Sequence, residues 1–125
     1  MVAVLPPLLS DQPPEVPQRV GLGDRFHYFR GLSGRRYLFT AVDRRDLPDF
    51  RSAVALVAEP AAEGRLAARW VAAIDPFGRI EGRDRRLPDW EGAVVLVHLL
   101  AETDRERHDL VADLSAPAFA PALAA

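Results

Sequence analysis

Residues 29 to 42, FRGLSGRRYLFTAV, place a Gly-Leu-Ser-Gly turn and two adjacent arginines between two runs rich in aromatic and β-branched residues. Such a stretch is either a phosphate-cradling loop or a hairpin with a basic shoulder. A P-loop needs a strand, a longer glycine-rich loop ending in Lys-Ser or Lys-Thr, and then a helix. Here lysine is absent from the whole chain, and the residues after the turn alternate as a strand does. The stretch therefore predicts a hairpin of strands Phe26–Arg30 and Arg36–Val42, punctuated by Gly31, Ser33 and Gly34. In the second strand Tyr37, Phe39 and Ala41 share one face, and Leu38, Thr40 and Val42 share the other.

Beyond the hairpin, apolar runs at 53–58 and 93–100 have the length of central strands, and Leu66–Ile74 reads as a further strand entered through the turn PAAEG. Central burial of Val54, Leu56, Val95 and Val97 follows from this reading. The two central runs belong to an internal repeat, LPDFRSAVALV at 47–57 and LPDWEGAVVLV at 87–97, each with Asp-Arg-Arg upstream. Duplication of a turn-plus-strand unit explains it; so does independent use of Leu-Pro-Asp as the entry to a buried strand.

Residues 103–114 predict a helix. Thr103 and Glu106 form a capping box, Asp104 places negative charge at the positive end of the dipole, and Leu110 and Leu114 make an i, i+4 apolar pair with Val111 beside it. Pro117 and Pro121 are expected to end regular structure. The resulting organisation is a proline-rich extended arm at 1–19, one α+β domain at 20–115, and an Ala/Pro-rich tail at 116–125. The expected architecture is a small, mostly antiparallel sheet of four or five strands with the C-terminal helix packed on one face. A domain of this size is stable by only about 5–15 kcal/mol, so docking against a partner would matter to it.

Composition narrows the chemistry. With no cysteine, thiol catalysis, disulfides and thiolate metal sites are excluded. His27, His98 and His108 lack a second histidine at ligand spacing, so no metal site and no cofactor are expected, and His98 reads as a hydrogen-bonded residue at a sheet end. Ser33 lacks the second glycine of a nucleophile elbow, position 35 being arginine, and precedes a strand instead of a helix. The apolar N-terminal run is short and broken by Pro6 and Pro7, and no run reaches membrane-spanning length, which predicts a cytoplasmic protein without membrane association. Residues 19–51 carry a basic excess and residues 102–113 an acidic one, a polarity that suits a protein partner better than nucleic acid.

Taken in order, GLSGRRYLF, the following apolar strands, and VHLLAETDRERHDLVADL as a late strand and helix resemble bacterial GIY-YIG-type nuclease domains over residues 26–114. The resemblance implies a phosphodiester-cleaving site built from two tyrosines, an arginine and a metal-holding glutamate. The matching positions carry Val54 and Trp70 for the tyrosines, Ala72 for a glycine of the second motif, Val111 for the glutamate, and Arg79 as the candidate arginine. Valine neither moves a proton nor ligates a metal, and tryptophan offers only an indole donor. The expectation is a non-catalytic interaction or accessory module on a degenerate fold of this type, with a metal-dependent nuclease or nucleic-acid binder as the alternative. Its expected protein contacts are Val4, Leu5, Leu8 and Leu9 of the arm, Arg35 and Arg36 of the hairpin shoulder, and Trp90 at a turn.

Overall fold

The structure, a computed structural model, describes residues 8–11, 25–82 and 86–119, with Leu8 and residues 116–119 described by backbone alone. The elements are β1 (Leu8–Leu9), β2 (Phe26–Arg30), β3 (Arg36–Val42), a 3-10 segment Arg44–Asp49, β4 (Ala53–Pro60), a 3-10 turn Ala62–Gly64, β5 (Leu66–Ile74), β6 (Val94–His98) and α1 (Asp104–Phe119). The strands form one antiparallel sheet in the order β1-β5-β4-β6-β3-β2, with α1 packed against β4 and β5. The chain is thus an α+β protein whose long strands make the five-stranded antiparallel sheet and whose C-terminal helix covers one face, as expected.

The sheet curls until its two ends meet one short segment. Ser10 N–H donates to Leu66 O on β5 at 2.8 Å, and Asp11 N–H donates to Tyr28 O on β2 at 2.8 Å. Ser10 is fully buried, its hydroxyl accepting from Leu66 N–H at 2.7 Å while Arg65 Nε donates to its carbonyl at 2.8 Å. Residues 8–11 therefore satisfy backbone groups at both ends of the sheet, groups that would otherwise stand as open edges.

Strand alternation divides the apolar residues into two cores. On the inner face, Phe29, Phe39, Val54, Leu56, Leu96, Leu110 and Leu114 pack together, with Phe29 and Phe39 edge to face at a 5.6 Å centroid distance. On the other face, Leu47, Ala55, Val57, Trp70, Val95 and Val97 are covered by Phe50, Ile80, Leu87 and Trp90 from the connecting segments. Val54, Leu56, Val95 and Val97 are all buried, as their apolar runs require.

One irregularity controls which face β5 presents. Val57 pairs with Trp70 but Ala58 pairs with Ala68, so Arg69 is an extra residue in β5. This bulge lets Ala68 point to the inner core and Trp70, two residues on, to the other. The extra residue's guanidinium is held by Glu59, with Nε donating to Oε1 at 2.8 Å.

The sequence repeat has a geometric counterpart. Each position of the first copy has its counterpart 40 positions later, and β4 pairs with β6 so that Leu56 faces its own counterpart Leu96, with Ala55 opposite Val97 and Val57 opposite Val95. The two copies are thus related by a local pseudo-twofold axis between Leu56 and Leu96. Leu47 and Leu87, and likewise Phe50 and Trp90, pack on the same core. Ser52 and Gly92, also counterparts, both adopt positive φ. Arg44 ties the two entry turns together, donating to Pro88 O and pairing with Asp89 at 3.5 Å.

The helix differs from expectation at its end. It begins as the capping box predicts, with Glu106 N–H donating to Thr103 Oγ1 at 3.1 Å and that hydroxyl donating to Glu106 Oε1 at 3.2 Å. It then continues through Pro117 to Phe119 instead of stopping before the proline. Pro117 has no N–H to offer the carbonyl of Asp113, four residues earlier, and Leu32 N–H of the hairpin turn donates to that carbonyl at 3.1 Å instead. Asp104, expected to serve the helix dipole, also pairs with Arg107, whose buried guanidinium reaches Ala101 O at 3.2 Å.

Candidate functional site

The hairpin turn and α1 form one unit. Asp113 Oδ1 accepts from Ser33 N–H at 2.8 Å, while Oδ2 accepts from the Ser33 hydroxyl at 2.6 Å and the Tyr37 hydroxyl at 2.7 Å. Gly31 permits this approach, because a Cβ built there would lie 2.1 Å from Asp113 Oδ2. Burial raises the Asp113 carboxyl's pKa, but the hydrogen bonds from Ser33 and Tyr37, with Arg35 nearby, outweigh it and hold the group below its ordinary value. The Tyr37 hydroxyl is pushed up, first by burial and then by its bond to Asp113. Ser33 thus anchors a turn and is not set up as a nucleophile. The basic hairpin and the acidic helix, read from sequence as opposite patches for a partner, meet each other here.

Strand alternation sends Arg35 and Arg36 to different places. Arg36 stacks on Tyr28, 4.2 Å from the ring centroid, and its Nε pairs with Asp11 at 3.0 Å. It lies on the outward face of β2 and β3, which carries Phe26 and Tyr28 with their cross-strand partners Thr40 and Leu38. Among the described residues, the segments that cover the second core on β5, β4 and β6 reach Val42 but leave this part of the sheet open. Phe26 is 43% exposed and Tyr28 40%.

Arg35 instead lines a cleft of about 140 Å³, together with Tyr37, His98, Leu100, Glu106 and Asp109. His98, from the end of β6, is buried, and its Nδ1 lies 2.8 Å from Leu38 O. A carbonyl only accepts, so Nδ1 carries the proton and Nε2 is the acceptor of the neutral ring. Burial lowers the pKa of His98 and so favours the neutral ring, opposed in part by the bond to Leu38.

The other candidate residues do not converge. Val54 and, partly buried beside it, Val111 belong to the inner core, whereas Trp70 and Ala72 belong to the opposite one. Arg79 is exposed after a tight turn in which Asp75 Oδ1 accepts from the Phe77 and Arg79 N–H groups, each at 2.9 Å. Trp90, expected as a contact, is turned inward against the second core with its indole N–H enclosed and unpartnered. Leu8 and Leu9 pair with Ala68 and Ala67 of this chain's own β5, and Val4 and Leu5 lie outside the described residues. His27 is buried in β2, and His108 Nε2 contacts Glu81 Oε1 at 3.0 Å on the surface. Among the described residues no group of three His, Cys, Asp or Glu side chains is placed to hold a metal, and no helix is long and apolar enough to cross a membrane.

The sequence reading passed over Phe26, Tyr28 and Asp113. The strand alternation marked Phe26 and Tyr28 as sharing a face, but only the limited reach of the covering segments leaves that face open. No protein-family model, curated protein or solved structure matches the chain.

Proposed function

We propose that this chain is a non-catalytic protein-interaction module that docks a partner on the outward face of β2 and β3. The observation that carries the reading is the pair Phe26 and Tyr28, two residues apart on one strand and 43% and 40% exposed beside the covered second core. Tyrosine and arginine dominate interface hot spots, and Arg36 is already ordered over the Tyr28 ring by stacking and by Asp11, so little side-chain entropy remains to be lost on docking. The dispersal of Val54, Trp70, Ala72, Arg79 and Val111 over two cores and a turn weighs against the nuclease alternative.

The test is native co-purification followed by mass spectrometry, comparing the wild-type chain with the double variant Phe26→Ser, Tyr28→Ser. Both side chains point outward, so the variant should keep its circular dichroism spectrum. Loss of a protein recovered with the wild type supports the reading, and equal recovery by both removes it. Incubation with Mg²⁺ or Mn²⁺ should produce no cleavage of DNA or RNA.

A further inference from the structure

The cleft between the hairpin and α1 is separate from the docking face, and its walls carry opposite charge. Arg35 stands on the hairpin wall; Glu106 and Asp109 stand on the helix wall. Arg35 feels Asp113 at longer range but makes no ion pair among the described residues. His98 forms part of the lining at 6% exposure. Because its Nδ1 is committed to Leu38 O, the nitrogen left for anything entering the cleft is the acceptor Nε2. Leu100 and Leu110 supply apolar lining between these groups.

We propose that this cleft binds a free α-amino acid with a small apolar side chain, Arg35 taking the carboxylate and Glu106, Asp109 and His98 Nε2 taking the ammonium. A ligand with a carboxylate alone would set its charge beside the carboxylates of Glu106 and of Asp109, whose Oδ2 lies 3.9 Å from Arg105 Nε, and one with an ammonium alone would set its charge beside the Arg35 guanidinium. Only a ligand bearing both charges satisfies both walls. The volume of about 140 Å³ equals roughly five waters at liquid density, enough for a small amino acid and too little for a nucleotide.

The experiment is an amide NMR titration of the full chain with L-valine, and separately with isovalerate, which lacks the ammonium, and isobutylamine, which lacks the carboxylate. Valine should give saturable shifts confined to residues 35–37, 98–101 and 106–110. Each single-charge analogue should bind at least about tenfold more weakly. Arg35→Gln should weaken valine while leaving isobutylamine unchanged or tighter; Asp109→Asn, on the opposite wall, should weaken valine and isobutylamine alike. Absence of saturable shifts with valine, shifts lying elsewhere, or an analogue binding as well as valine would each overturn the proposal.

Discussion

Asp113 and Ser33, 80 residues apart, are joined twice, by the Ser33 N–H at 2.8 Å to one carboxylate oxygen and by the Ser33 hydroxyl at 2.6 Å to the other. This bond pair fastens the hairpin turn to the helix and sets the position of Arg35, two residues on. Replacing the carboxylate with Asp113→Ala is expected to cost about 1–3 kcal/mol, since it leaves three donors, the Ser33 N–H and the Ser33 and Tyr37 hydroxyls, without their acceptor. Urea denaturation measures it. The sign with pH follows from a folded pKa held below the ordinary 3.8. The contribution is fully present above 3.8 and is lost as pH falls below it through the folded value, so the variant should show a shallower acid limb than the wild type.

Gly31→Ala is expected to destabilise by about 1–3 kcal/mol, because the new methyl occupies the place of Asp113 Oδ2 and that carboxylate is held by three hydrogen bonds. In an Asp113→Ala background the same change should cost much less. A double-mutant cycle read by thermal denaturation checks it, and additive effects would contradict the assigned clash.

Leu56 and Leu96 face each other across the pseudo-twofold axis and are both fully buried. Truncating either to alanine should cost about 2–5 kcal/mol, and the two together should depart from additivity because they share one cavity. Chemical denaturation of the two single variants and the double variant tests this.

The counterparts Ser52 and Gly92 sit at φ 51° and φ 81°. A side chain is strained in this region, so Gly92→Ala should lower stability by about 1 kcal/mol, while Ser52→Gly should be neutral or stabilising by a similar amount. Opposite signs at equivalent positions of the repeat are the expected outcome in urea midpoints.

A chain beginning at Val20 lacks the segment that joins Leu66 to Tyr28. It should unfold at lower urea than the full chain and self-associate, because both ends of the sheet are then open for pairing. Light scattering together with denaturation reads both effects. A monomer of undiminished stability would show that residues 8–11 contribute nothing to closing the sheet.

Local chemistry alone determined a good deal of this protein. The hairpin bounds, the strand Leu66–Ile74, the capping box at Thr103 and the burial of Val54, Leu56, Val95 and Val97 all follow from alternation, turn residues and hydrogen-bonding preference over a few neighbours. These are short-range effects that a window of sequence contains in full. Tertiary structure decided what depends on residues far apart. The partner of Asp113 lies in a turn 80 positions away, and its carbonyl, freed by Pro117, finds Leu32, so the helix continues past a residue that local rules treat as a stop. The bulge at Arg69 turns Trp70 to the face opposite Ala68, which no alternation pattern announces. Residues 8–11, readable in sequence only as part of an extended arm, become the join between β5 and β2 because sheet ends seek hydrogen-bond partners wherever the chain brings them. Likewise the helix carboxylate of Asp113 is held by the uncharged Ser33 and Tyr37 of the hairpin, and strand alternation leaves Arg35 over a cleft and Arg36 on the outward sheet face beside Asp11.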